Sequence, residues 1–133
     1  MTIDDLIDNF EFLDSWEDKY RYIIELGEKL PPFDEQFRTE EWKVKGCQSQ
    51  VWLVPKKQSD GRLKFMGDSD AMIVKGLIFI VLVVYNNLTS IEIKNKNIEE
   101  IFTKLGLKDH LSPSRRNGLE SMINKIKYYA DIL

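Results

Sequence analysis

One thiol in 133 residues, Cys47, is the side chain of this sequence best suited to covalent chemistry. It lies in KVKGCQSQVWLV, Lys43 to Val54, between Gly46 and the uncharged polar run Gln48, Ser49 and Gln50, directly before an apolar segment. Free cysteines usually behave as small buried hydrophobes. A core position would have aliphatic flanks, whereas this one has a glycine that frees the backbone and neighbours that hydrogen-bond. The pattern predicts a thiol at a turn. A lone cysteine cannot close an internal disulfide, form a CxxC redox pair or supply a four-thiolate cluster site, and a single histidine removes most zinc sites. No cofactor or metal is expected, and whatever chemistry exists uses one sulfur.

Two other stretches hold candidate residues. Asp68, Ser69 and Asp70, in GDSDA, form a cluster suited to capping a helix that starts just after them. In HLSPSRRNGLESM, Arg115 and Arg116 fall in the first turn of a helix that Ser112 caps and Pro113 opens. The helix dipole disfavours cations there by about 0.3–1 kcal/mol, so their use lies elsewhere: an acidic partner, an anion or a nearby thiolate. His110 stands two residues before the cap and reads better as a structural hydrogen-bonder than as a base.

The elements that must position these residues follow from periodicity. Thr2 and Asp5 make a capping-box start for a helix with Ile3, Leu6, Ile7, Phe10 and Leu13 on one face. Ser15 restarts the pattern through Trp16, Tyr20, Ile23, Ile24 and Leu30, and Pro31 and Pro32 end it. A short strand from Trp42 to Lys45, a turn over Gly46 to Ser49, a second strand from Gln50 to Lys57 and a third through Leu63, Phe65 and Gly67 are expected next. GLIFIVLVVY, Gly76 to Tyr85, has strand-like composition but follows a cap cluster and belongs to an apolar stretch longer than most strands. It is read as a fully buried helix, too short to span a membrane. YNNL is its exit turn, and short helices near Ser90 to Ile93 and Ile98 to Leu105 precede the last one. The expected fold is α+β, a small three-stranded antiparallel sheet packed against several helices in a single domain, residues 1–133. In the predicted hairpin Val51 faces Asp68, which brings Cys47 to the end of the sheet where the central helix begins. A helix N-terminus at that place would lower the thiol pKa.

Residues 1–41 carry 13 Asp and Glu against 4 Lys and Arg, and residues 42–133 carry 9 against 15. This acidic N-terminal third argues against nucleic acid as the main ligand and suits orientation of a protein partner. The acidic opening MTIDDLID is neither a secretory nor a transit signal, and with a free thiol it points to the reducing cytoplasm.

Three stretches, GCQSQVWL (Gly46 to Leu53), GDSDAMIVKGLI (Gly67 to Ile78) and HLSPSRRNGL (His110 to Leu119), together resemble the SufE-type sulfur acceptors that work with cysteine desulfurases in iron–sulfur cluster assembly. Their order and spacing match as well. Asn86 and Asn87 depart from the family's usual glycine at the exit turn, and Ser90 from its frequent proline. The resemblance implies that Cys47 accepts sulfur as a persulfide, supported by Gly46, Gln48, Ser49, Asp68, Ser69, Asp70, His110 and Arg115. It further implies a cysteine desulfurase as partner and activation target, a downstream iron–sulfur scaffold as recipient, and no independent enzyme activity. Two other readings stand beside it. A cysteine hydrolase needs His110 near Cys47 with a third orienting group, and an adaptor domain would bind a partner without chemistry.

Overall fold

The computed structural model describes all 133 residues. The chain runs α1 (Ile3–Glu11), α2 (Trp16–Gly27), two single 3-10 turns (Glu35–Phe37 and Glu40–Trp42), β1 (Val51–Lys57), β2 (Leu63–Ser69), α3 (Met72–Tyr85), α4 (Ser90–Asn95), α5 (Ile98–Lys104) and α6 (Pro113–Ile132). Local sequence explains most of these boundaries. Thr2 and Asp5 form the reciprocal capping box of α1, and Ser15 accepts from the Asp18 N–H to open α2. Thr89 and Glu92 form a second capping box at α4, Asn97 caps α5, and Ser112 caps α6 with Pro113 in its first turn. No helix is long and apolar enough to cross a membrane.

The Gly76–Tyr85 segment is helical, and it is the hub of the fold. Ile73, Leu77, Ile78, Ile80, Val81, Leu82, Val84 and Tyr85 of α3 are all buried. Most of so apolar a helix must be covered, but it is not fully buried as expected: Met72 is exposed, and Lys75, Phe79 and Val83 on the same face are only half-buried. The covers are α2, β2 and α1. Its closest approach is to α2, where glycines face each other: a Cβ on Gly76 would overlap the Ile23 carbonyl oxygen, and one on Gly27 would lie 2.7 Å from the Gly76 nitrogen. Two helix backbones meet there without side chains between them. Helix α2 accordingly closes at Gly27 rather than running to Leu30, whose N–H still reaches the Gly27 carbonyl as the chain turns toward Pro31.

The sheet has two strands, not three. β1 and β2 pair antiparallel from Val51↔Ser69 to Lys57↔Leu63. The register is one residue off the expected one, with Asp68 facing Trp52 instead of Val51, because the hairpin loop takes Gln58 to Arg62, with Gly61 at φ +85°. The Trp42–Lys45 strand reduces to a single bridge, Lys43↔Trp52, with the Val44 N–H donating to the Val51 carbonyl at 2.8 Å. The chain before it curls into the 3-10 turn ending at Trp42, and Gly46 at φ +92° swings it away from the sheet immediately after. The free edge of β2 is closed by the α3 exit turn instead. There Leu63 bridges Leu88, the Asn86 side chain accepts from the Phe65 N–H, and Asn87 adopts the left-handed conformation that asparagine tolerates.

Asp68, Ser69 and Asp70 do not cap α3. The cap position is Ala71, which offers no side-chain acceptor. Ser69 Oγ accepts from the Ala71 N–H, Asp70 turns back to Gln50, and Asp68 lies buried among cations. The cluster shapes the β2–α3 turn and leaves the first turn of α3 uncapped.

The glycine crossing makes a direct prediction. Gly76→Ala should cost about 1–3 kcal/mol or more, since a methyl at that point forces α2 and α3 apart. Chemical denaturation measures it, and an unchanged midpoint would contradict the contact.

Candidate functional site

Cys47 sits in a turn laid across α6. A glycine stands on each side of the contact. Gly46 holds a left-handed φ of +92°, and a Cβ there would lie 2.6 Å from Ser121 Oγ, so neither conformation nor space admits a side chain. Gly118, inside α6, lies directly beneath the cysteine: a Cβ at 118 would stand 3.5 Å from Cys47 Sγ, an ordinary contact that an alanine would tolerate. The thiol donates to the Gly118 carbonyl oxygen over 3.5 Å. It is half-buried and faces a cavity of about 230 Å³. The cavity is lined by the cysteine loop (Gln48, Ser49), the start of α3 (Ala71, Ile73, Val74) and one face of α6 (Ser114, Arg115, Leu119).

Burial pushes the Cys47 thiol above its ordinary pKa, and desolvation is the whole cause. The direction is opposite to the lowering expected from the α3 N-terminus.

The remaining candidates take distinct places. Gln48 and Ser49 line the cavity. Asp70 Oδ1 accepts the Gln50 N–H at 3.0 Å, and the Asp70 N–H donates to the Gln50 carbonyl at 3.3 Å, which ties the β2–α3 turn to the end of the cysteine loop. Arg115 lines the cavity with no carboxylate partner, its guanidinium carbon 5.9 Å from the centroid of the Tyr20 ring. Arg116 points elsewhere and donates to the Lys108 carbonyl at 2.5 Å. His110 does not line the cavity. Its exposed ring stacks on Trp16 with centroids 4.8 Å apart, so it is a stacking partner rather than the hydrogen-bonder expected of it.

Two contributors escaped the sequence reading. Gly118 left a weak signal, because a glycine inside a helix costs roughly 1 kcal/mol against alanine, but it is its main-chain carbonyl that meets the sulfur. Arg38 left none. It reaches Asp68 from a stretch with no regular periodicity, Nη2 to Oδ2 at 2.5 Å, and the hydrogen bonds it donates to Glu35 and Asp68 push its pKa further up. No group of histidine, cysteine and carboxylate side chains stands close enough to hold a metal ion.

The SufE family model, described as an Fe-S metabolism associated domain, matches residues 4–130. The chain belongs to the SufE family. An uncharacterized SufE-like protein of Rhizobium meliloti (strain 1021) is 50% identical over 133 residues, 98% of this chain and 95% of its own length. Another, from Rhizobium etli, is 49% identical over 134 residues, 98% of this chain and 90% of its own. The fold recurs in the solution structure of a hypothetical protein from Thermus thermophilus, with a TM-score of 0.75 at 17% identity over 98% of this chain and 96% of that one. A SufE fold of one α+β domain is thus placed around a lone cavity-facing thiol.

Because the folded thiol titrates above the unfolded one, its burial stabilises the protein at pH values below the unfolded thiol pKa. That contribution is lost as pH rises through the folded value. Alkylation rate against pH should give a midpoint above that of the same cysteine in the denatured chain; a midpoint at or below it would refute the desolvated setting.

Proposed function

We propose that this SufE chain is a sulfur acceptor and carrier: Cys47 takes the terminal sulfur of a persulfide on a cysteine desulfurase and passes it on for iron–sulfur cluster assembly. The observation that carries this reading is the lone thiol at the mouth of a cavity that contains no second thiol and no histidine. Such a site can hold one reactive sulfur and cannot resolve it internally.

The exchange balances with no further reactant. The Cys47 thiolate attacks the outer sulfur of the desulfurase persulfide, a new S–S bond forms, and the old one breaks with its electron pair leaving on the desulfurase cysteine. The raised thiol pKa means that the resting protein attacks slowly. Docking that draws Cys47 out of its cavity restores solvation and with it the thiolate. After transfer, the cavity volume, far beyond the ~10–15 Å³ that one water needs, leaves room for the extra sulfur to be sheltered from reductants and oxidants. Arg115 at the rim fits a docking role, because nothing in the resting site couples its charge to the thiol.

The hydrolase reading loses its base, since His110 is engaged with Trp16 away from the cavity lining. By this proposal the protein is not an independent enzyme but a desulfurase partner and activator. Its unpaired thiol suits the reducing cytoplasm.

Incubation with a desulfurase and free cysteine should add the mass of one sulfur atom to the protein, reversed by reductant and absent in Cys47→Ala. An equal gain in Cys47→Ala removes the assignment, and full sulfur transfer by that variant selects a pure adaptor instead. Arg115→Ala should leave the Cys47 titration unmoved while weakening desulfurase binding and flattening its salt dependence. A further rise in the thiol pKa would make Arg115 a thiolate stabiliser.

A further inference from the structure

Asp68 is the one charged side chain the fold buries, 7% exposed. A carboxylate in that position is tolerable only if it is paired and hydrogen-bonded. Lys75 lies 3.6 Å from Oδ1, and the closer partner is Arg38 on Oδ2. The Arg38 guanidinium is unusually confined. Its carbon lies 5.2 Å from the Phe33 ring centroid and 5.1 Å from that of Trp52, and its Nε donates to Glu35 at 2.8 Å. Aromatic rings, one edge contact and a buried carboxylate leave it a single geometry, which a lysine could not reproduce.

What this clamp holds is the turn that carries the cysteine loop. Asp68 faces Trp52 across the hairpin, and two residues later Asp70 grips both the N–H and the carbonyl of Gln50, three residues from Cys47. The next residues, Ala71, Ile73 and Val74, form a wall of the cavity. A continuous set of contacts therefore runs from Arg38 through Asp68 and the β2–α3 turn to the loop that seats the thiol.

We propose that Arg38 is a positioning residue, a latch that keeps the Cys47 loop seated in its cavity by fixing Asp68. The significance of the latch rests on the sulfur-acceptor reading of Cys47, but its test does not.

The test is alkylation of Cys47 by iodoacetamide in the isolated protein at neutral pH, with global stability measured in parallel by denaturant. Arg38→Gln should react about tenfold faster than wild type, the scale set by losing a charge-assisted hydrogen bond to a buried group. The excess should be nearly insensitive to low denaturant, as a local opening exposes little surface. Asp68→Asn should give the same acceleration, and the combined variant should be no faster than either. An unchanged rate in Arg38→Gln, an excess that follows denaturant with the full slope of global unfolding, or additive effects in the combined variant would each overturn the latch. If Arg38→Gln does not fold, Arg38→Lys, which keeps the charge and loses the fork, takes its place under the same criteria. No desulfurase enters the measurement, so a failed latch leaves the sulfur-acceptor reading standing, and a failed sulfur transfer leaves the latch standing.

Discussion

The rest of this structure is arranged around one apolar helix, most of whose surface must be kept from water. Eight apolar side chains are buried along α3, and the face of Met72, Lys75, Phe79 and Val83 is left partly open. Burying each such side chain is worth on the order of 1.5–3 kcal/mol, so uncovering even one side would be a large fraction of a domain's stability. The glycine crossing with α2 is the tightest part of that enclosure, and it fixes where α3 begins. The β2–α3 turn, the cavity wall at Ala71 to Val74 and the place where the cysteine loop returns all inherit their coordinates from it.

The site is then assembled from absences as much as from groups. Gly46 removes a side chain and takes a left-handed turn so that the loop can lie across α6 with the sulfur on the Gly118 carbonyl. The small apolar residues at the start of α3 leave a void that larger ones would fill. Charge is kept to the edges. Arg115 stands at the rim over Tyr20, and the Arg38–Asp68 pair sits at the end of β2, just before the turn into α3. The result is a thiol whose reactivity is held down by its surroundings until those surroundings change.

Much of this was legible in the sequence, for identifiable reasons. Caps and prolines write helix starts locally, which is why Thr2, Ser15 and Ser112 gave α1, α2 and α6 their first residues. The apolar Gly76–Tyr85 run, ambiguous in composition, resolved as a helix because of its length. The missing third strand failed for the opposite reason: strand formation depends on a partner edge, and Gly46 turns the chain away after one bridge. The capping role given to Asp68, Ser69 and Asp70 was a correct reading of residue type with the wrong recipients, since tertiary partners at Arg38, Gln50 and Lys75 outcompeted the helix end. The direction of the thiol pKa was misjudged because a helix N-terminus can be inferred from sequence and a cavity cannot. Arg38 was invisible, as a contact between residues thirty positions apart leaves no local pattern.

The partner that Cys47 meets at rest has a further consequence. A main-chain carbonyl such as that of Gly118 is only an acceptor, so it attracts sulfur while a proton sits on it and repels it once the proton is gone. Location and ionisation of the sulfur are consequently coupled: the seated form is neutral by selection, and any event that strips the proton also pushes the atom outward. A backbone carbonyl of α6 thereby favours the protonated thiol in the seated position.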